Sequence, residues 1–374
     1  MKIVIAPQSF KETLSALEVA HAIEAGVRLS IPKAEIIISP VADGGDGTLE
    51  VLLNSLGGER KNLFVSGPRG GKLSSSWGLS EGGKLAIIES ANSIGIALVP
   101  VKTRNPMLTS SFALGEMIQA ALDEGCRKFI IGIGGTSTND GGGGMAQALG
   151  ARFLDGMGKD LSLGGEALLD LATIDMSNFD PRVEESEFLI ACDVQIPLTG
   201  KEGATAIFGA QKGATKEMIK KLETSLIHYS EVIKRDLGVL IDGKPWTGAG
   251  GGLGGGCHAF LKGELKSGIE VVLNSIGFNS KLDNADLVIT GEGCIDNQTA
   301  YFKAPMGVAK RSEERGIPVV AIVGTIGEGY EEVFNHGIKA LASTPSSYIN
   351  DAFGSVVMAT KEALRWTTLS LDIT

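Results

Sequence analysis

The segment IGIGGTSTNDGGGG, residues 131–144, joins an apolar run to a stretch of helix-forming residues. The run at 129–131 has the character of a buried strand, and residues 145–149 favour a helix. Glycines and small polar residues in such a connection have two interpretations. They form a tight structural turn with Asp140 as the helix N-cap, or they form a cradle whose amides and hydroxyls bind an anion such as phosphate.

Length and composition restrict the class of protein. The chain has 374 residues, 43% of them apolar and 21% charged, which suits a soluble globular protein of two domains. The net charge of −10 makes nucleic acid an unfavourable partner. No apolar run approaches the ~18 residues of a membrane span. The four cysteines are widely spaced and form no CxxC pair, so we expect reduced thiols and a cytoplasmic location.

Alternation of strands and helices predicts a parallel sheet built from both ends of the chain. Strand-like runs at 2–6 and 36–38 each lead into a helix, and runs at 285–290 and 318–323 restore this rhythm near the C-terminus. Between them, short runs broken by Gly- and Pro-rich turns indicate a second domain, and a cleft between the domains is the expected active site. We therefore predict an α/β fold with a discontinuous Rossmann-like parallel-sheet domain, residues 1–65 and 285–374, and an inserted mixed α/β domain, residues 66–284.

Carboxylates occur at three places that suit chemistry. Asp43 and Asp46 flank a Gly-Gly pair, Glu292 and Asp296 lie in a second acidic loop, and Asp193 follows an apolar run. Such carboxylates hold a divalent cation or accept a proton. They also commonly do no more than cap the next helix. The residues alone leave both readings open.

Two established nucleotide-binding motifs are absent, and a third, G-x-G-x-x-G, occurs only within the nearly all-glycine segment 248–256, where it is a weak signal. No Gly-Lys pair is followed by Ser or Thr, so there is no Walker P-loop, and the protein-kinase H-R-D and D-F-G signatures do not occur. The candidate cations for an anionic ligand are Lys11, Lys212 and Lys303, which lie beside loops containing glycine or aromatic residues. A single lysine in such a place is more often a solvated surface residue.

Eight longer segments follow one another in a distinctive order. They are APQSFK (6–11), ADGGDGT (42–48), IGIGGTSTNDGGGGMAQALGARF (131–153), CDV (192–194), FGAQKGAT (208–215), GAGGGLGGG (248–256), GIEVVLN (268–274) and LVITGEGCIDNQTAYFKAPMGVA (287–309). In this order they resemble the class I glycerate kinases, of the glycerate 2-kinase type. The resemblance spans nearly the whole chain and is far more specific than any one motif.

The resemblance implies transfer of the ATP γ-phosphoryl group to D-glycerate, at the 2-hydroxyl, with Mg²⁺ and within the catabolism of glycerate, glyoxylate and sugar acids. It also implies a two-domain α/β fold without a Walker loop, and a homodimer is one candidate for the oligomeric state. The alternatives are a metal-dependent phosphohydrolase and a non-catalytic organic-acid sensor. Gln8 stands where the family usually has Asp, so we infer that this position is not the essential base or metal ligand.

Roles follow as hypotheses. Asp193 is the expected base, with Lys11 and Lys212 as the other catalytic residues. The expected Mg²⁺ ligands are Asp43, Asp46, Glu292 and Asp296. The expected substrate- and phosphate-binding residues are Ser9, Gly134, Gly135, Thr136, Ser137, Thr138, Thr290, Gln298 and Lys303.

Overall fold

The structure, a computed structural model, describes residues 1–10, 13–80, 82–296, 299, 303–345 and 351–371. Its chain divides into two compact units. Unit 1 comprises Met1–Asp43, Glu50–Ser55 and Ile269–Thr374, and unit 2 comprises Gly44–Leu49 and Leu56–Gly268.

Strands and helices alternate along much of the described chain. The strands are β1 (Lys2–Pro7), β2 (Glu35–Ile38), β3 (Gly58–Ser66), β4 (Lys72–Ser80), β5 (Leu85–Glu89), β6 (Lys128–Gly132), β7 (Arg152–Leu154), β8 (Thr173–Asp175), β9 (Glu187–Cys192), β10 (Glu264–Ser267), β11 (Leu287–Ile295), β12 (Val319–Ile326) and β13 (Ile338–Ser343). The α-helices are α1 (Ala16–Ser30), α2 (Thr48–Leu56), α3 (Ala91–Ile94), α4 (Phe112–Asp123), α5 (Gly143–Ala148), α6 (Ala204–Phe208), α7 (Lys216–Leu237), α8 (Leu253–Leu261), α9 (Gly268–Ser275), α10 (Phe278–Lys281), α11 (Ala304–Glu313) and α12 (Ala352–Leu371). Short 3₁₀ helices span Ile96–Leu98, Val101–Thr103, Glu166–Asp170, Pro181–Val183 and Tyr330–His336.

Unit 1 is built on a five-stranded sheet in the order β13-β12-β11-β1-β2, with every neighbouring pair parallel. Helix α1 begins with a capping box, in which the Ser15 hydroxyl accepts the Glu18 N–H and the Glu18 carboxylate accepts the Ser15 N–H at 2.8 Å. Its apolar face, including Ile23 and Val27, packs with β1 and α12 in one core. The strand order reverses direction between β1 and β11, where open α/β sheets place their ligands.

Unit 2 contains a six-stranded mixed sheet in the order β10-β9-β6-β5-β4-β3. The four strands from β10 to β5 are parallel, and β4 and β3 continue the sheet as an antiparallel hairpin. Trp77, Met117 and Ile131 lie fully or almost fully buried in its core. A small antiparallel pair, β7-β8, lies apart from this sheet. The carboxyl ends of β5, β6 and β9 therefore meet at one edge, because their strands are parallel neighbours.

The unit boundaries differ from those expected at residues 65 and 285. Strand β3 pairs with β4 along its whole length, which places residues 58–65 in unit 2. Residues 269–284, with α9 and α10, belong to unit 1. The loop that contains Asp43 and Asp46 is divided between the units. Its residues 44–49 belong to unit 2, although Asp43 belongs to unit 1. A composition shift does not reveal which sheet a strand will join.

The predicted fold class is confirmed, since one unit has a parallel sheet and the other a mixed sheet, both with helices. Within the described residues, no helix combines the length and apolar character needed to span a membrane.

Candidate active site

A cavity of about 700 Å³ in unit 1 lies at the carboxyl ends of β1, β11 and β12. This is the edge at which the strand order reverses, and the position suits a small-molecule ligand. Its lining is mainly polar side chains and glycines. The lining residues are Gln8, Ser9, Phe10, Thr13, Asp43, Glu292, Gly293, Cys294, Lys303, Gly324, Thr325, Thr344, Pro345, Ala352 and Ser355.

Glu292 is the most distinctive group of this cavity. Its side chain is 5% exposed, and its Oε1 accepts the Thr299 hydroxyl at 2.6 Å. Burial raises the pKa of Glu292 to about 7, an effect that the nearby charges of Asp43 and Asp296 reinforce and that Thr299 and Lys303 oppose. A carboxyl group with a pKa near neutrality can both hold and release a proton under working conditions.

Lys303 supplies positive charge at the same cavity. It is the half-buried N-cap residue of α11, which begins Ala304-Pro305 and has no side-chain cap. The unsatisfied amides at a helix N-terminus attract anions, and an ammonium beside them adds to that attraction. The structure therefore brings Lys303, Asp43 and Glu292 to one cavity. A ligand that carries anionic groups together with a bound cation requires both a positive group and carboxylates.

Other predicted residues of unit 1 differ in position. Ser9 lines the cavity, beside the buried Gln8, whose N–H donates to the Gly291 carbonyl at 2.8 Å. Thr290 is fully buried, and its hydroxyl donates to the Ala6 carbonyl at 2.9 Å, so this hydroxyl joins β11 to β1. Two predicted residues, Lys11 and Gln298, lie outside the described residues.

The carboxylates of this cavity are the candidate ligands for Mg²⁺, which binds oxygen atoms. Within the described parts of the chain, no three His, Cys, Asp or Glu side chains are grouped to hold a metal ion. Mg²⁺ is usually held by one or two carboxylates together with substrate phosphates and water. Asp43 and Glu292 line one cavity, and the charge of Asp43 helps to raise the pKa of Glu292, so this pair of carboxylates fits that requirement. Asp296 is half-buried nearby, and one of its oxygens accepts the Thr299 N–H at 3.3 Å.

In unit 2, most glycines of the segment 131–144 serve close backbone packing. A Cβ on Gly132 would lie 2.5 Å from the Gly44 carbonyl oxygen, and one on Gly142 would lie 3.0 Å from the Gly256 Cα. Gly135 is different, because it is exposed and a Cβ there would approach no atom closer than 3.4 Å. The structural-turn interpretation thus accounts for most of these glycines, and Gly135 is the one with open space.

The hydroxyls of this loop are largely committed to the protein. Thr136 donates to the Gly250 carbonyl at 3.0 Å, and Ser137 donates to the Ile94 carbonyl at 2.9 Å. The Thr138 hydroxyl is buried, with no hydrogen-bond partner among the described residues. Any anion contact at this loop therefore depends more on its exposed backbone than on the hydroxyls of Thr136 and Ser137.

Asp140 has a structural role. Its side chain is 1% exposed, and its Oδ2 accepts the N–H and the hydroxyl of Ser111 at 2.7 and 2.8 Å and the Gly144 N–H at 3.2 Å. Its Oδ1 accepts the Gly142 N–H at 3.3 Å. These bonds satisfy amides at the start of α5. The N-cap residue of α5 is Gly142, so Asp140 caps the helix from two residues before the N-cap position expected for it.

Two carboxylates lie against consecutive residues of the loop. The Asp193 Oδ2 is 3.1 Å from the position of a Cβ on Gly134, and the Asp46 Oδ1 is 3.4 Å from that of a Cβ on Gly135. Asp193 is half-buried and Asp46 is exposed. The N-cap of α2 is Gly47, without a side-chain cap bond, so Asp46 does not cap that helix. Unit 2 therefore presents Asp46 and Asp193 around Gly134–Gly135.

Lys212 is buried beneath the same loop. Only 4% of it is exposed, and its Nζ donates to the Thr138 carbonyl at 2.7 Å and to the Thr136 hydroxyl at 3.2 Å. Burial lowers the pKa of Lys212 to about 8, while the charges of Asp193 and Asp140 oppose this shift. The solvated-surface reading of this lysine is wrong, and its contacts hold the loop.

Glu89 was not anticipated as a site residue. It ends β5, is 6% exposed, and its Oε2 accepts the Leu49 N–H at 3.0 Å. Burial raises its pKa to about 7. The only signal in the sequence is a carboxylate that follows the apolar run 85–88, the pattern that singled out Asp193.

Comparison with known proteins gives a consistent result. The chain matches the profile of the glycerate kinase family over residues 3–367. It is 48% identical over 341 residues to the glycerate kinase of Halalkalibacterium halodurans, covering 91% of this chain and 90% of that protein. It is 46% identical over 355 residues to the glycerate 2-kinase of Escherichia coli K12, covering 94% and 93%. The crystal structure of a Salmonella typhimurium LT2 protein assigned as glycerate kinase 2 superposes with a TM-score of 0.87 at 44% identity, covering 100% of this chain and 98% of that one.

Proposed function

The chain belongs to the glycerate kinase family, and we propose that it transfers the γ-phosphoryl group of ATP to the 2-hydroxyl of D-glycerate, giving 2-phospho-D-glycerate. The observation that carries the proposal is the family match across residues 3–367. The name of the Escherichia coli relative, a glycerate 2-kinase, supports the choice of hydroxyl.

Phosphoryl transfer requires positioning and neutralisation of charge more than covalent chemistry. In the unit 1 cavity, Lys303 and the uncapped N-terminus of α11 are suited to hold an anionic group. We assign Asp43 and Glu292 as Mg²⁺ ligands, and keep Asp46 and Asp296 as further candidates. When bound, Mg²⁺ supplies positive charge to the phosphate oxygens.

The acceptor hydroxyl must lose a proton during transfer. We propose that Asp193 accepts it, because this half-buried carboxylate follows a parallel strand and lies against Gly134. We assign to Lys212 the task of holding residues 136–138, in view of its bonds to Thr136 and Thr138. The exposed backbone at Gly135 is the part of this loop that we expect to contact substrate.

Two residues complete the proposal from sequence alone. Lys11 is expected to pair with the glycerate carboxylate, and Gln298 to contact substrate. A homodimer, a cytoplasmic location and a role in sugar-acid and glyoxylate catabolism likewise stay predictions.

The activity is tested by following ADP release from Mg-ATP with D-glycerate, with L-glycerate and with no acceptor. We expect release that requires D-glycerate. Equal release without an acceptor would identify a phosphohydrolase. Binding of D-glycerate in calorimetry without any ADP release would identify a sensor and contradict the proposal.

A further inference from the structure

The acidic loop of unit 2, residues 44–49, is held by backbone contacts with the sheet. The Gly134 N–H donates to the Gly44 carbonyl at 3.2 Å. A Cβ on Gly44, which has φ +93°, would lie 2.7 Å from the Ala191 carbonyl oxygen. Only glycine tolerates both this conformation and this approach. One end of the loop is thereby fixed at the carboxyl ends of β6 and β9.

The other end of the loop is the start of α2, which lacks a local cap. Its N-cap residue is Gly47, at φ +88°, and no side chain of the helix start accepts its first amides. A Ser, Thr, Asp or Asn at this position would normally do so. Glu89 takes this role from the end of β5, accepting the Leu49 N–H at 3.0 Å. The Gly47 backbone faces the same carboxylate and lowers the pKa of Glu89.

This arrangement leaves Asp46 with a different task from its neighbours. Because the remote Glu89 caps α2, the carboxylate of Asp46 is not needed as the cap and extends instead toward Gly135, within 3.4 Å of its Cβ position. A second internal bond, from the Thr48 hydroxyl to the Gly45 carbonyl at 2.7 Å, closes the turn on either side of Asp46.

We propose that Glu89 is the positioning residue for Asp46: by anchoring the Leu49 amide, at the start of α2, to β5, it fixes where the Asp46 carboxylate stands beside Gly135. The inference rests on the proposed function, in which Asp46 takes part in holding Mg-ATP or substrate. Among the described residues, the hydrogen bond to the Glu89 carboxylate comes from a backbone amide, so we expect Glu89 to act through Asp46. Groups that orient the residues around a metal or substrate site typically change activity by about 10- to 100-fold when removed.

A double-mutant cycle tests this coupling. Glu89→Ala is expected to lower kcat/KM by about 10- to 100-fold in the wild-type protein. In an Asp46→Asn background, the same change should lower it by less than about 3-fold, since the group that it positions is already disabled. An equal factor in both backgrounds would overturn the proposal.

A conservative variant and a matched control separate positioning from general stability. Glu89→Gln keeps the shape and one acceptor oxygen, so it should fold and recover most of the loss seen in Glu89→Ala. The control is Glu116→Gln, because Glu116 also accepts a distant backbone amide in unit 2, from Ser66 at 2.6 Å, without touching the acidic loop. Its kcat/KM should stay within about 2-fold of the wild type. A loss equal to that of Glu89→Ala would show that the effect is not specific to the loop.

Amide hydrogen exchange gives a readout that does not depend on catalysis. Exchange in residues 44–56 should accelerate by about 10-fold in Glu89→Ala and remain unchanged in Glu116→Gln. Unchanged exchange in Glu89→Ala would overturn the proposal even if the kinase activity is established. Accelerated exchange in a protein that releases no ADP would support the anchoring of the loop and place the failure in the proposed function.

Discussion

Two buried glutamates, one in the sheet of each unit, have different surroundings. Glu292 lies in β11 and lines the unit 1 cavity, where it accepts one hydroxyl bond. Glu89 ends β5 in unit 2 and accepts the Leu49 amide at the start of α2. Burial raises the pKa of both to about 7. A raised carboxyl pKa in a buried strand therefore does not by itself distinguish a group that contacts a ligand from one that positions the chain.

The largest expected effect tests whether Asp193, which lies against Gly134 in unit 2, takes part in the reaction. Asp193→Asn should lower kcat by about 10² to 10⁴-fold, since the amide cannot accept the proton, and should leave ATP affinity intact. Steady-state kinetics and calorimetry with an unreactive ATP analogue measure the two quantities. The control Asp155→Asn changes a half-buried turn carboxylate whose Oδ1 accepts the Met157 N–H at 2.8 Å. Turnover within 3-fold of the wild type would remove Asp193 from its role.

The second effect tests the same question in unit 1. Glu292→Gln keeps the bond from Thr299 but removes the negative charge, so kcat/KM should fall by about 10²-fold. The required Mg²⁺ concentration should rise as well. Steady-state kinetics of Glu292→Gln and Glu89→Gln over a series of Mg²⁺ concentrations compare the roles of the two glutamates. If both variants lose the same activity with the same Mg²⁺ response, the contrast fails.

The third effect concerns glycine packing in unit 2. A Cβ on Gly251 would overlap the Thr138 carbonyl and lie 2.9 Å from the Lys212 Nζ. Gly251→Ala should therefore lower the free energy of unfolding by about 3 kcal/mol. The control is Gly238→Ala, which has a similar φ of +70° and open space around the Cβ, and which should cost about 1 kcal/mol. Urea unfolding measures both, and equal losses would contradict the packing account.

The smallest effect is a pH dependence that arises from Lys212. Its folded pKa of about 8 lies below the ordinary 10.5, so between these values the unfolded chain binds more protons than the folded one. Stability from this group should thus rise with pH, by roughly 2 to 3 kcal/mol in total between pH 8 and 10.5. Urea unfolding of the wild type and of Lys212→Met, at pH 7 and pH 10, isolates the contribution of Lys212 to this pH dependence. If the difference in unfolding free energy between the two proteins does not change with pH, burial does not lower the pKa of Lys212.

The elements that depend on local pattern were predictable. The Ser15–Glu18 capping box and the apolar strands of unit 1 follow from spacing and residue type alone. Contacts between distant segments were not. Gly132 and Gly142 oppose Gly44 and Gly256, which are far away in the sequence, and no spacing rule predicts that these glycines make room for another backbone. Thr290 was expected at a ligand but bonds across the sheet, because a hydroxyl in a buried strand needs a partner.

The candidate site was predictable in part. One cavity collects three predicted residues from one edge of the sheet. Glu292 lies near the carboxyl end of β11, Asp43 follows β2, and Lys303 is the N-cap residue of α11. The role of Glu89 was missed, since a glycine at the N-cap of α2 gives no indication of which distant carboxylate replaces the usual cap.

The central claim is the transfer of phosphate to the 2-hydroxyl of D-glycerate, and phosphorus NMR of the reaction products tests it most directly. Purified protein, Mg-ATP and D-glycerate should give a 2-phosphoglycerate signal that is absent when D-glycerate is omitted. A 3-phosphoglycerate signal would contradict the assigned hydroxyl, and inorganic phosphate alone or unchanged ATP would contradict the kinase itself.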